Sequence, residues 1–119
     1  FRVNMTRYPV DSVGVHLAGS FQGWMPNSTT MSQISPGIWQ IQTQVPANDT
    51  IEYKFINGNS WGRDEQNWLK GCGTGNGFGS ENRMAIIGST DTILPLVFFN
   101  SCATTLQELT VADLQVVPE

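Results

Sequence analysis

The sequence predicts an all-β domain, an antiparallel immunoglobulin-like β-sandwich of about seven to eight strands. Short segments with alternating apolar and polar residues recur along the chain, and turn-forming Gly, Pro and Asn residues separate them. Almost no segment shows the periodicity of an amphipathic helix. The 119 residues are enough for one domain, 1–119, that buries about two thirds of its unfolded surface in a single core. Because the chain opens on Phe1 rather than Met, we expect a domain excised from a larger protein.

The first strands are predicted from their alternation. Phe1–Met5 and Val13–Leu17 each alternate, and both are expected to be strands. In Trp39–Val45 the residues Trp39, Ile41, Thr43 and Val45 point one way, while three glutamines point the other. Trp39 is therefore expected to lie in the core rather than in a binding site.

A hairpin is predicted around Asn57-Gly58, because this dipeptide between two strand-like runs is typical of a two-residue turn with positive φ at both positions. Such a turn would place Lys54 opposite Trp61, and Glu52 opposite Arg63, on the solvent side of a sheet. The other side of the first strand is then the core face, formed by Ile51, Tyr53 and Phe55.

Two alternatives to this arrangement stay open. A three-residue turn would reverse the parity of the second strand and bury Trp61. Trp61 could also be an ordinary half-buried aromatic residue of a strand pair, with Lys54 a solvated lysine at a sheet edge.

The second half of the chain contains further strand signals. A glycine-rich surface loop is expected over Gly71–Gly79, a strand near Asn82–Ile87, and a dense apolar strand over Thr92–Phe99. The tail is ambiguous, since Thr105–Glu108 fits a helix capping box whereas Thr110–Val117 fits a final strand. We prefer the strand.

Cys72 and Cys102 are the only cysteines, and without a CxxC pair or clustered histidines a disulfide is the better interpretation. Closing a loop of this length would stabilise the fold by about 3 to 4 kcal/mol on the chain-entropy model. It also implies an oxidising compartment, so a secreted or cell-surface protein is expected. The alternative is a pair of reduced, buried thiols.

Charge and hydropathy argue against several classes of partner. The net charge is -4 and the six Lys and Arg residues are scattered, which argues against nucleic acid and anionic membranes. The longest apolar run, Ile93–Phe99, is too short to cross a bilayer and is interrupted by Pro95. We expect no membrane insertion and a monomeric isolated domain.

Signals for catalysis, metals or cofactors are weak. His16 is the only histidine, it lies within a predicted strand, and no Gly-x-Ser-x-Gly segment supplies a nucleophile. Asp64 and Glu65 are adjacent and would face opposite sides of a strand, which does not suit a pair of glycosidase carboxylates. They could ligate calcium, although the spacing matches no calcium loop. We expect no catalytic residue, no metal site and no cofactor.

Four segments together resemble a known family. They are Gly19-Ser20-Phe21-Gln22-Gly23-Trp24, Tyr53-Lys54-Phe55, Trp61 after a turn, and Asn82-Arg83. Their order is similar to that of the starch-binding modules of amylases and of the glycogen-binding module in the β subunit of the AMP-activated kinase. The chain also resembles such modules in secreted multidomain proteins of Bacteroidetes-type bacteria, in its run from Asp49 to Gly58 and its late cysteines.

The resemblance implies a noncatalytic carbohydrate-binding module that holds an attached domain on an α-glucan polysaccharide. Trp24 and Trp61 would stack on consecutive glucose rings, and Lys54 and Asn82 would hydrogen-bond the hydroxyls. The alternative is an immunoglobulin-like spacer or protein-contact domain in which the two tryptophans pack against a neighbouring domain. Possible additional ligand contacts are Trp68 and Asp64.

Overall fold

The computed structural model describes residues 1–66, 72–75 and 81–105 and shows an all-β fold built from two four-stranded sheets. The back sheet has the order β3-β4-β1-β8 and the front sheet β2-β5-β7-β6. Every strand pair is antiparallel except β1 and β8, which are parallel. The predicted sandwich is confirmed. The eight strands among the described residues are β1 Arg2–Asn4, β2 Val15–Gly19, β3 Ser32–Ser35, β4 Ile38–Gln40, β5 Asp49–Asn57, β6 Gly73–Gly75, β7 Glu81–Ile87 and β8 Val97–Phe98.

The core lies between the two sheets. On β5, the longest strand, the face that packs into the core is the one that the sequence predicts. Ile51, Tyr53 and Phe55 of β5 are buried, so the core face expected from alternation is confirmed. Trp39 packs against the core, as predicted. The other buried members of the cluster are Val3, Met5, Val15, Leu17, Met31, Ile87 and Phe99.

The turn after β5 is longer than the sequence predicts. Ile56 pairs with Asp64, and the Asn57 N–H donates to the Arg63 carbonyl, so the two-residue turn at Asn57-Gly58 is wrong. Asn57 stays at the strand end because its side chain is used elsewhere: it accepts from the Asp11 N–H at 2.8 Å and donates to the Pro9 carbonyl at 3.0 Å.

The shifted register also replaces the cross-strand pairs. Arg63 forms its ion pair with Asp11 at 2.9 Å rather than with Glu52. The Glu52 carboxylate instead accepts a hydrogen bond from the Asn82 amide. The predicted Glu52/Arg63 and Lys54/Trp61 pairings are therefore wrong.

Other strand predictions are partly correct. The strand near Asn82–Ile87 is confirmed as β7, but Thr92–Phe99 contributes only β8, since Pro95 interrupts it and Ile93 is 86% exposed. Gly73–Gly75, expected in a loop, pairs with β7 as an edge strand. The prediction for Thr110–Val117 and the possible role of Trp68 lie outside the described residues.

The predicted disulfide between Cys72 and Cys102 is confirmed, with a Cα–Cα distance of 5.7 Å. Cys72 precedes β6 and Cys102 follows β8, and these strands are the neighbouring edges of the front and back sheets. The disulfide thus joins the two sheets at one side of the sandwich. No helix in the described part of the chain is long and apolar enough to cross a membrane.

A buried ion pair lies on the same side. The Arg83 guanidinium donates to both oxygens of Glu65, whose side chain is fully buried, and it also donates to the carbonyls of Phe98 and Ser101. The second Glu65 oxygen accepts from the Asn100 N–H. A buried carboxylate needs such partners, and they attach the segment after β8 to the front sheet.

Candidate ligand-binding surface

Trp24 and Trp61 lie side by side although they come from different segments of the chain. Their ring centroids are 6.4 Å apart and the ring planes are inclined by 45°. Trp24 is half-buried and Trp61 is 47% exposed, so solvent reaches this pair. The structure thus brings together the two tryptophans that the sequence singles out.

Trp24 lies in an unusual backbone turn after β2. The chain leaves Gly19 through a 3₁₀ turn, Ser20–Gln22, after which Gly23 and Trp24 both take positive φ, at 69° and 58°. The Trp24 N–H donates to the Gly19 carbonyl at 3.0 Å. Positive φ at a bulky residue is rare and costs about 1 to 3 kcal/mol, so the surroundings must hold this turn in place.

Gln22 supplies much of that support. Its Oε1 accepts from the N–H groups of Gly19 and Met25, at 3.2 and 2.6 Å. Its Nε2 faces four oxygen acceptors within 3.1 Å, on Leu17, Met25, Ser28 and Thr29. This role of Gln22 is not among the sequence predictions, although one signal indicates it: Gln22 lies three residues after Gly19, as in a capping box.

The segment that carries Trp61 is held by Asp64. Asp64 Oδ1 accepts from the Gly62 N–H, and Oδ2 accepts from the Lys54 ammonium, both at 2.9 Å. Gly62 has a φ of 102°, which only glycine adopts easily. Asp64 therefore fixes the backbone one residue after Trp61 to the centre of β5.

Lys54 does not lie on an open surface, as the sequence predicts, but is only 2% exposed. The expectation of a solvent-facing lysine is wrong because the shifted hairpin register brings Asp64 to its ammonium. Burial raises the pKa of the Asp64 carboxyl, but the hydrogen bonds from Lys54 and Gly62 and the Lys54 charge outweigh it and leave that pKa below its ordinary value.

Asn82 is also buried, and its amide donates to Glu52 Oε1 at 3.0 Å. Tyr53 pairs with Arg83, so Lys54 and Asn82 stand on adjacent strands on the outer face of the front sheet, away from the core. Each of these two predicted ligand residues binds a carboxylate, Asp64 or Glu52, that is less buried than the residue itself. The Asp64 side chain is 11% exposed.

Asp64, Glu65 and His16 each have partners of their own in the structure. Asp64 binds Lys54 on the outer face whereas Glu65 binds Arg83 on the core face, so their predicted divergence is confirmed. His16 is buried, with Nε2 3.2 Å from the Thr30 hydroxyl. Within residues 1–66, 72–75 and 81–105, no group of three or more His, Cys, Asp or Glu side chains is arranged to hold a metal ion.

Comparisons of this chain with protein-family models, with curated proteins and with solved structures find no match.

Proposed function

We propose that this domain is a noncatalytic carbohydrate-binding module that binds chains of α-glucan, such as starch, glycogen or maltooligosaccharides. The observation that carries the proposal is the solvent-accessible pair of Trp24 and Trp61 on one surface. A pyranose presents C–H groups on its faces and hydroxyls around its rim, so flat aromatic rings bind its faces and polar groups bind its rim.

The inclination of the two rings favours an α-glucan over a flat polymer. Consecutive glucose units in an α-1,4 chain turn relative to one another, whereas the units of a β-1,4 ribbon present nearly parallel faces. Two indoles inclined by 45° suit the curved chain better than the ribbon. Covering half of an indole removes about 100 Å² of apolar surface and contributes about 2 kcal/mol before ordering costs.

The burial of Lys54 and Asn82 changes their roles in this proposal. Their side chains offer little surface to a sugar, but they orient the carboxylates of Asp64 and Glu52. These oxygens can accept hydrogen bonds from hydroxyls on the rim of a stacked sugar. Lys54 and Asn82 thus act as positioning residues for these partly exposed acceptors.

The module would act by attaching a neighbouring domain to the polysaccharide. Two aromatic platforms and a few hydrogen bonds suggest a dissociation constant of roughly 10 μM to 1 mM. Such weak binding becomes useful when a neighbouring domain is tethered to a polymer with many sites. The disulfide suits the oxidising conditions outside the cell, where an enzyme would meet such a polymer.

Affinity electrophoresis through gels containing glycogen, amylopectin or a β-glucan tests the proposal, followed by calorimetric titration with maltoheptaose. We expect retardation by the α-glucans, and Trp24→Ala and Trp61→Ala should each weaken binding by about 1 to 3 kcal/mol. Ile86→Ala is the control, because Ile86 is 78% exposed and pairs with Thr50 at the start of β5, four residues before Lys54. Equal migration of the parent, both tryptophan variants and the control would favour a spacer or protein-contact domain.

A further inference from the structure

We propose that Gln22 is a positioning residue that sets the orientation of the Trp24 ring against Trp61. The role in ligand affinity rests on the proposed function, whereas the role in ring orientation does not. Gln22 need not touch a sugar, because its carboxamide is committed to the turn that presents Trp24.

The hydrogen bonds of Gln22 reach the chain on both sides of Trp24. On the earlier side it accepts from the Gly19 N–H, and Gly19 in turn accepts from the Trp24 N–H. On the later side both backbone groups of Met25 bind the same carboxamide, its N–H at 2.6 Å and its carbonyl at 2.8 Å. The residues that flank the Trp24 turn are thereby tied to one side chain.

Core packing does not replace this support. No residue of the 3₁₀ turn Ser20–Gln22 is fully buried, and Met25 is 49% exposed. Phe21 stacks on Phe1 with centroids 5.4 Å apart, which anchors the start of the turn but lies before the positive-φ residues. The carboxamide of Gln22 is therefore the group that holds the later half of the turn.

The hydrogen-bonding groups around the carboxamide of Gln22 favour glutamine at this position. The Oε1 atom faces two N–H donors, and Nε2 faces two carbonyls, which can only accept, together with the hydroxyls of Ser28 and Thr29. A group that accepts at one end and donates at the other satisfies all of them. Methionine has a similar length, but its thioether cannot donate and accepts only weakly. Glutamate keeps the acceptor but turns a carboxylate oxygen toward oxygens that cannot donate to it, the carbonyls of Leu17 and Met25.

The circular dichroism of the indole pair supplies a readout that needs no ligand. The centroids of the two indoles are 6.4 Å apart, so we expect their excited states to couple and to give an exciton couplet. Trp24→Ala identifies that signal by removing it. We expect Gln22→Met to reduce the couplet strongly while the protein still unfolds cooperatively. Its affinity for maltoheptaose should fall about tenfold.

Ser20→Ala is the matched control, because the Ser20 hydroxyl in the same turn accepts from the Glu52 N–H but does not bind the chain around Trp24. It should keep both the couplet and the affinity. A full couplet in Gln22→Met would overturn the positioning role. A lost couplet in a protein whose parent binds no glucan would support the positioning role and reject the proposed function.

Hydrogen exchange of the parent protein tests the same role without any substitution. The Met25 N–H should exchange slowly although its residue is half-exposed, because it donates to Gln22 Oε1. Rapid exchange of this amide would overturn the proposal, including in the case that Gln22→Met fails to fold.

Discussion

The Lys54 ammonium lies 2.9 Å from Asp64 Oδ2, and their side chains are only 3% and 11% exposed. The pair joins the centre of β5 to the segment that carries Trp61, three residues before Asp64. A buried charge is tolerated only with a partner, so each residue depends on the other. The proposed binding surface consequently rests on an ion pair that also stabilises the fold.

The first prediction is that Lys54→Met lowers the free energy of unfolding by about 2 to 3 kcal/mol, because it leaves the Asp64 carboxylate without its cation. Urea unfolding measures the change. The control is Arg63→Met, which breaks the more exposed Arg63–Asp11 pair near the same turn and should cost less than about 1 kcal/mol. An unchanged urea midpoint for Lys54→Met would contradict the buried pair and support the sequence prediction of a two-residue hairpin with a solvent-facing Lys54.

The second prediction concerns the stability of the fold at acidic pH. The pKa of Asp64 is lower in the folded protein than the ordinary value of 3.8, so its ionised form stabilises the fold above that value. This contribution should be lost as the pH falls from about 3.8 toward the lower folded pKa. The free energy of unfolding should be measured for the parent and for Asp64→Asn from neutral pH downward. The difference between the two proteins should be constant at first and should then shrink in acid. A difference that grows in acid would contradict the sign of the shift.

The third prediction concerns the backbone conformation of Trp24. Its φ of 58° favours glycine, so Trp24→Gly should be more stable than Trp24→Ala by about 1 kcal/mol, although both lose the indole. Trp61 is not among the non-glycine residues with positive φ, so the order should reverse there, with Trp61→Ala more stable than Trp61→Gly. Chemical denaturation of the four variants tests both signs. The same order at both positions would mean that Trp24 adopts an ordinary conformation.

Local alternation predicts part of this structure well. The core face of β5 and the opposite directions of Asp64 and Glu65 follow from the two-residue period of a strand, and both are observed. These features need only neighbouring residues. The closeness of Trp24 and Trp61 is different, because it was expected from a resemblance and not from periodicity.

The errors come from contacts between distant segments. Asn57 has the sequence of a turn residue, but its side chain binds the backbone of Pro9 and Asp11, 48 and 46 residues away, which no local signal shows. The longer turn then carries Asp64 to Lys54 and buries a lysine that alternation alone places in solvent. The error in the predicted turn length therefore also gives a wrong environment for Lys54, a predicted ligand residue.

The last prediction separates the stability of the sandwich from the binding surface. The Cys72–Cys102 disulfide closes a loop with a sequence separation of 30 at the edges formed by β6 and β8. Replacing both cysteines with serine should lower the free energy of unfolding by about 3 to 4 kcal/mol.

The loops of Trp24 and Trp61 are held by Gln22 and by the Lys54–Asp64 pair, so the folded variant should keep the indole couplet and its affinity for maltoheptaose. Thermal melts, circular dichroism and calorimetry of the serine variant test this, with Trp24→Ala as the control for a lost couplet. A folded serine variant without the couplet would show that the disulfide edge of the sandwich helps to position the tryptophan pair.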